Sequence, residues 1–221
     1  NWNNLQDAEI TIIPTWHWVM NRLPIGSVDK EKQIIRTSVL GTYALNGPNI
    51  GYWPEGTCWI ENALEYLDEP GEWIMDSKNG KIYYWPLGPE PENINVPALT
   101  EYIRLEGDIN YDAANDKPIK NISFKGISFT RGDRFDWEAG KTGWGLQHDW
   151  EMFDRPTAMV RMRGAENCII DNCRFINSGG TAVRLDLYCQ KNEIINSSIE
   201  YVGGAGILLA GYGPGTKDVN H

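Results

Sequence analysis

The chain of 221 residues carries a formal net charge of −10, from 30 acidic and 20 basic side chains. Its 23 glycines, 12 prolines and 10 tryptophans exclude an ordinary coiled coil, and an aromatic content of 11% excludes wholesale disorder. The acidic balance argues against a nucleic-acid partner, and the lack of a long apolar run argues against a membrane partner.

The first 100 residues contain no internal repeat and predict an antiparallel β-rich module. Residues 73–75 and 81–85 flank a turn at 76–80, which is the pattern of a β-hairpin. A short helix is expected at 61–66. The module is predicted to end near residue 100, after a proline-rich connector.

Residues 101–221 repeat a pattern of short β-type runs separated by Asn and Gly turns. Similar runs start at Ile103, Val160, Val183 and Ile207, and the last three are 23 and 24 residues apart. A second run starts at Asn121, at Asn167 and, more loosely, at Asn192. Each unit alternates apolar and polar residues and cannot bury its apolar side alone. The chain is therefore predicted to be all-β, with a parallel β-helix over 101–221; its leucines do not follow the spacing of a leucine-rich repeat.

A long loop at residues 131–158 interrupts the repeat and is dense in aromatic and acidic side chains. Long loops of this kind more often serve function than structure. Three of its residues are predicted to contact a sugar: Trp144, His148 and Trp150. The alternatives are that the tryptophans pack the loop onto the coils and that the lone histidine is structural.

Charged residues alternate with the apolar residues of the first repeated run and are predicted to point outward. These positions hold Arg104, Glu106, Arg161, Arg163, Arg184 and Asp186. Stacked arginines repel unless acids or an anionic ligand lie between them. Two interpretations are open. One is a structural salt-bridge lattice, and the other is a sugar-binding groove, roofed by the loop, in which Arg161, Arg163 and Arg184 contact the substrate.

Hydrolysis of a glycosidic bond requires two carboxyl groups that flank it. Asp186 is the first candidate, because adjacent arginines favour its ionised form and therefore a role as base or nucleophile. The structural alternative is a paired surface aspartate. The second catalytic carboxylate is predicted to be Asp149, Glu151 or Asp154 of the loop; Glu106, about 9–10 Å from Asp186 across two strands, and Asp218 are further candidates. In a full-length protein, Asp186→Asn should abolish hydrolysis and leave the thermal transition unchanged.

The four cysteines show no metal-ligand spacing, so no metal site is predicted. Cys168 and Cys173 occupy apolar repeat positions and are expected to be buried thiols.

Three stretches carry a family resemblance: WIENALEYLDEPGEWIMDSKNGKIYYWP at 59–86, GLQHDWEMFDRPTAMVRMRGAENCIIDNCRFINSGGTAVRLDLYCQ at 145–190 and GILLAGYGPGTKDVNH at 206–221. They resemble large bacterial right-handed parallel β-helix proteins of glycoside hydrolase family 141. The resemblance implies a fucosidase-like or xylanase-like hydrolase of plant or algal polysaccharide, secreted or periplasmic and without a cofactor. Because members of this group are longer, it also implies a segment whose β-helix is capped by the remainder of a longer chain.

Two other classes of function fit the same residues. A polysaccharide lyase would act on an acidic glycan with Arg or His as base, and Ca²⁺ could assist it although nothing in the sequence indicates a calcium site. A non-catalytic β-helix would bind oligosaccharide without cleaving it.

Overall fold

The computed structural model describes residues 2–14, 20–41, 58–110, 116–134 and 158–210, together with the backbone of 144–146. Nearly all regular structure in these residues is β-strand, which confirms the all-β prediction. The chain divides into two compact units, Asn1–Ile94 with Trp137–Asp149, and Asn95–Asp136 with Trp150–His221. Within the described ranges, no helix is long and apolar enough to cross a membrane.

The elements are short. Those of the first 100 residues are a 3₁₀ turn at Leu5–Asp7, β1 (Glu9–Ile12), β2 (Met20–Asp29), β3 (Ile34–Thr37), β4 (Cys58–Glu61), a 3₁₀ turn at Leu64–Tyr66, β5 (Trp73–Asp76) and β6 (Lys81–Tyr84). The later strands are β7 (Ile103–Glu106), β8 (Ile119–Lys120), β9 (Ser123–Lys125), β10 (Ser128–Thr130), β11 (Trp144–Leu146), β12 (Ala158–Arg163), β13 (Ala165–Glu166), β14 (Ile169–Asp171), β15 (Arg174–Ser178), β16 (Thr181–Asp186), β17 (Glu193–Ile195), β18 (Ser198–Val202) and β19 (Ile207–Leu209).

The first unit contains an antiparallel sheet with the strand order β11-β2-β1-β4, and β3 also pairs with β2. Alternate residues of β2 are buried, because one face of the sheet covers a small apolar core. That core contains Ala8, Ile10, Ile12, Leu23, Ile25 and Ala63. The predicted hairpin is confirmed, with β5 and β6 paired antiparallel from Trp73 and Tyr84 to Asp76 and Lys81.

The helix predicted at 61–66 is wrong for most of its length. Glu61 is the last residue of β4, and only Leu64–Tyr66 form a single 3₁₀ turn. Asn62 stands between them at φ 57°, outside the right-handed helical region. Its side chain holds that geometry, because its amide donates to the Asp7 carbonyl at 2.9 Å and its oxygen accepts from the Met75 N–H at 2.7 Å.

The second unit contains parallel sheets whose neighbouring strands come from equivalent positions of consecutive sequence repeats. Their strand orders are β19-β16-β12-β7, β17-β14-β9, β10-β15-β18 and the pair β13-β8. The predicted alignment of Ile103, Val160, Val183 and Ile207 is confirmed by the strand register. The looser copy at Asn192 is wrong by one residue, because Ile194 pairs with Ile170 and Ile199 with Phe175. The register is determined by the inward apolar residues. The predicted alignment matches Asn192 with Asn167 and is therefore displaced by one residue.

The core of the second unit is built from the inward residues of these strands. Val160, Met162, Ile170, Phe175 and Val183 are fully buried. The Phe129 and Phe175 rings stack with centroids 4.9 Å apart, so the same position is aromatic in consecutive repeats. The prediction of buried thiols at Cys168 and Cys173 is confirmed.

Residues with left-handed backbone recur at the same places in consecutive repeats and form three columns. The first column is Asn121, Asn167 and Lys191; the second is Gly126, Asn172 and Asn196; the third is Arg131, Asn177 and Tyr201. All nine φ angles lie between 50° and 69°. Glycine adopts this conformation without penalty and asparagine with little, which explains why the turns of the repeat are rich in both.

Candidate functional site

The candidate residues lie on adjacent strands of the sheet β19-β16-β12-β7. Strand register aligns Arg104, Arg161 and Arg184 in one row. It aligns Glu106, Arg163 and Asp186 in the next row, two residues further along each strand. These rows are the ones that the alternation of the sequence predicted, and the side chains lie on the face opposite the inward Val160 and Met162.

Asp186 lies between two arginines. Its Oδ2 accepts a hydrogen bond from Nε of Arg161 at 2.5 Å and also pairs with Nη2 of that residue. Its Oδ1 accepts from Nε of Arg184 at 2.5 Å. The three side chains are 1–2% exposed. Charges withdrawn from water to this degree require close pairing, and the shared carboxylate provides it. We call these three residues the Arg–Asp–Arg cluster.

The expectation that these residues form an exposed outer face is wrong. Arg161, Arg184 and Asp186 are as buried as the apolar residues that alternate with them, so β12 and β16 are covered on both faces here. Both oxygens of Asp186 are engaged, which fits the structural salt-bridge interpretation of the rows. The geometry makes Asp186 a fixed anion that orients two guanidinium groups.

The neighbouring charges extend this arrangement toward the edge strand β7. Arg104 pairs with Glu101 at 2.7 Å and with Glu106 at 3.4 Å, and Glu106 is 43% exposed. Glu101 is not among the residues that the sequence pattern indicates, because it precedes β7 and a spacing of three residues is no pairing signal along a strand. Arg163 lies between Glu106 and Asp186 in the register, and its Nη1 is buried with no hydrogen-bond partner among the described residues.

The loop residues are placed only in part. His148, Asp149, Trp150 and Glu151 lie outside the described residues, so their predicted roles stay predictions. The backbone of Trp144–Leu146 forms β11, which pairs antiparallel with β2 in the sheet of the first unit. This segment of the predicted loop is therefore a strand.

Two further acids outside the cluster are tied to lysines of the preceding repeat. A hydrogen bond from Lys120 lowers the pKa of Glu166, and hydrogen bonds from Lys125 and Asn196 lower the pKa of Asp171. Both ion pairs are 2.7 Å long and join equivalent positions of consecutive repeats. Their role is structural, since each spans two paired strands.

Neither Cys189 nor a metal-binding cluster forms a second candidate site among the described residues. Burial raises the pKa of the Cys189 thiol to about 11, which keeps it protonated. Among the described residues, no group of three or more His, Cys, Asp or Glu side chains is arranged to hold a metal ion.

Comparison with known proteins gives one match. A family model described as the GH141 insertion domain matches residues 48–87. The match spans less than half of the chain and includes the β5–β6 hairpin. No curated protein and no solved structure matches the chain. The finding relates this segment to glycoside hydrolase family 141.

Proposed function

We propose that the chain is part of a glycoside hydrolase that cleaves plant or algal polysaccharide, fucosidase-like or xylanase-like in its activity. The observation that carries the proposal is the similarity of residues 48–87 to the GH141 insertion domain. A secreted or periplasmic location in a bacterium belongs to the same proposal, as does a longer chain whose remaining coils cap the repeats.

The parallel sheets of the second unit are proposed to belong to a right-handed β-helix. Three of them take one strand from each repeat, in the same order along the chain, which supports this architecture. Left-handed residues at equivalent positions of consecutive repeats support it further, since a helix of coils turns at the same places in every coil.

Catalysis is proposed to use two carboxylates. Asp186 is one of them, and Asp149 or Glu151 of the loop is the other. For Asp186 to contact a sugar, Arg161 or Arg184 must release one of its oxygens, and the released guanidinium then binds the substrate. Arg163, Trp144, His148 and Trp150 are proposed to hold the sugar rings.

The test is a hydrolysis assay of the protein that carries this sequence, at its natural length, on a panel of neutral and acidic plant and algal polysaccharides. New reducing ends that disappear when Asp149→Asn and Glu151→Gln are combined would support the two-carboxylate mechanism. Absence of reducing ends on every polysaccharide would refute the proposal.

A polysaccharide lyase is the second candidate, and Arg163 is the observation that favours it. A buried guanidinium nitrogen without a partner among the described residues costs free energy, which the carboxylate of an acidic sugar would recover. In the same assay, a lyase would produce an unsaturated product that absorbs in the ultraviolet. A non-catalytic β-helix would bind the polysaccharide and produce neither signal.

A further inference from the structure

The third column of left-handed residues differs from the other two in its composition. Its members are Arg131, Asn177 and Tyr201, which we call the corner ridge. Neither arginine nor tyrosine suits this backbone, because the Cβ atom crowds the following carbonyl at positive φ. Asn177, between them, is an asparagine, the residue type that is commonest in the other two columns. Strained residues of this kind are kept where the side chain has a task.

The side chains of the corner ridge are available to a ligand. Tyr201 is 80% exposed, and Arg131 and Asn177 are exposed as well. The other columns are engaged with neighbouring acids, since Asn196 donates to Asp171 at 2.9 Å and Lys191 interacts with Glu166. In the corner ridge, the three side chains have no hydrogen bond or ion pair to any described residue.

The backbone beneath the corner ridge is held in place. The Tyr102 hydroxyl donates to the carbonyls of Thr130 at 3.0 Å and Arg131 at 2.9 Å. Strand pairing on both sides fixes Asn177 opposite Tyr201, because Ile176 pairs with Glu200 and Ser178 with Val202. The ridge is therefore a row of exposed side chains on a firm backbone, with neighbours about 4.8 Å apart along the direction of strand stacking.

We propose that the corner ridge is a contact surface for a neutral linear oligosaccharide. An exposed tyrosine ring stacks on the apolar face of a pyranose, and Arg131 and Asn177 carry unused donors for sugar hydroxyls. The spacing of the side chains is close to the length of one sugar residue, so consecutive side chains meet consecutive sugars. This inference rests on the proposed function in one respect, that the protein acts on carbohydrate.

Tyr201→Asn tests the proposal, because asparagine keeps the left-handed backbone and removes the ring. Calorimetric titration with cellohexaose, xylohexaose and laminarihexaose is expected to show binding by the parent chain. The variant is expected to weaken it about tenfold or more, the loss of one stacking ring, with an unfolding temperature equal to or above that of the parent. Tyr201→Phe keeps the ring and is expected to keep the affinity.

Lys191→Asn is the matched control, since it relieves the same strain in the first column and leaves the ridge untouched. Equal affinity of Tyr201→Asn and the parent, or no binding of any of the three hexasaccharides by the parent, would overturn the proposal. The binding experiment and the hydrolysis assay can fail independently of each other. A protein that cleaves glycan with Tyr201→Asn binding normally refutes the ridge alone, and ring-dependent binding without cleavage refutes the hydrolase alone.

Discussion

Asp186→Asn is expected to destabilise the chain strongly, against the sequence-based expectation of an unchanged thermal transition. The carboxylate satisfies one guanidinium with each oxygen, and all three side chains are almost fully buried. Asparagine keeps one acceptor, presents an amide N–H group to the other arginine and leaves two positive charges together. Removing one partner of a buried ion pair costs about 3–5 kcal/mol. For a chain of this size, that loss lowers the unfolding temperature by about 6–20 °C.

The assay is unfolding in urea, followed by tryptophan fluorescence and by far-ultraviolet circular dichroism. Glu106→Gln is the matched control, because Glu106 occupies the same row, is 43% exposed and pairs with Arg104 at 3.4 Å. Glu106→Gln should lower the free energy of unfolding by less than about 1 kcal/mol, as for other exposed ion pairs. A loss for Asp186→Asn as small as that of the control would refute the argument that the buried carboxylate holds the two arginines.

Three further predictions concern the repeats and the thiols. Gly126→Ala is expected to lower the free energy of unfolding by about 1–2 kcal/mol, measured by unfolding in urea. A Cβ atom at this position meets nothing within 4 Å, so only the φ of 69° opposes the substitution. An unchanged stability would contradict the role of the columns. The Lys125–Asp171 pair lowers the pKa of Asp171 and raises that of Lys125. Its contribution to the free energy of unfolding is therefore full near neutral pH. It is lost as acid protonates Asp171, and it is also lost as alkali deprotonates Lys125. The stabilities of the parent and Lys125→Met should therefore converge at both extremes of pH, and a constant difference would count against the pair. With an aromatic disulfide reagent, exposed Cys58 should react in the folded chain and the buried Cys168 and Cys173 only after unfolding. Rapid reaction of Cys168 and Cys173 in the folded chain would contradict their burial.

The sequence predicts the sheet register of the repeats because the inward residues are apolar in every copy. Val160 and Val183 align for this reason, and any slip by one residue would turn them outward. The predicted alignment of the copy at Asn192 is wrong because it matches asparagines. Asparagine recurs at the turns because it adopts the left-handed backbone conformation there, and it does not mark the inward positions of a strand. Reading Ile194 and Ile199 as the inward residues would have given the observed register.

The environment of the candidate site could not be predicted in the same way. Alternation tells which side of a strand Arg161 and Asp186 occupy, but the burial of that side depends on segments distant in the chain. The strand at Trp144–Leu146 has the same difficulty, since three residues carry little pattern and their pairing partner in β2 lies more than 100 residues earlier. Short elements of this kind are determined by tertiary contacts.

The charge rows also limit how the repeats can multiply. Duplication of the β16 repeat would add Arg184 together with Asp186, a neutral pair, to the outward rows of this sheet. Duplication of the β12 repeat would add Arg161 and Arg163 and no acid in those rows. The left-handed corners would not accept the two copies equally, because the β12 repeat has asparagine at all three positions, whereas the β16 repeat has Lys191 and Tyr201 there. A copied β16 repeat would therefore keep the charge balance of this sheet, whereas a copied β12 repeat would keep unstrained corners and add two arginines without an acid in these rows.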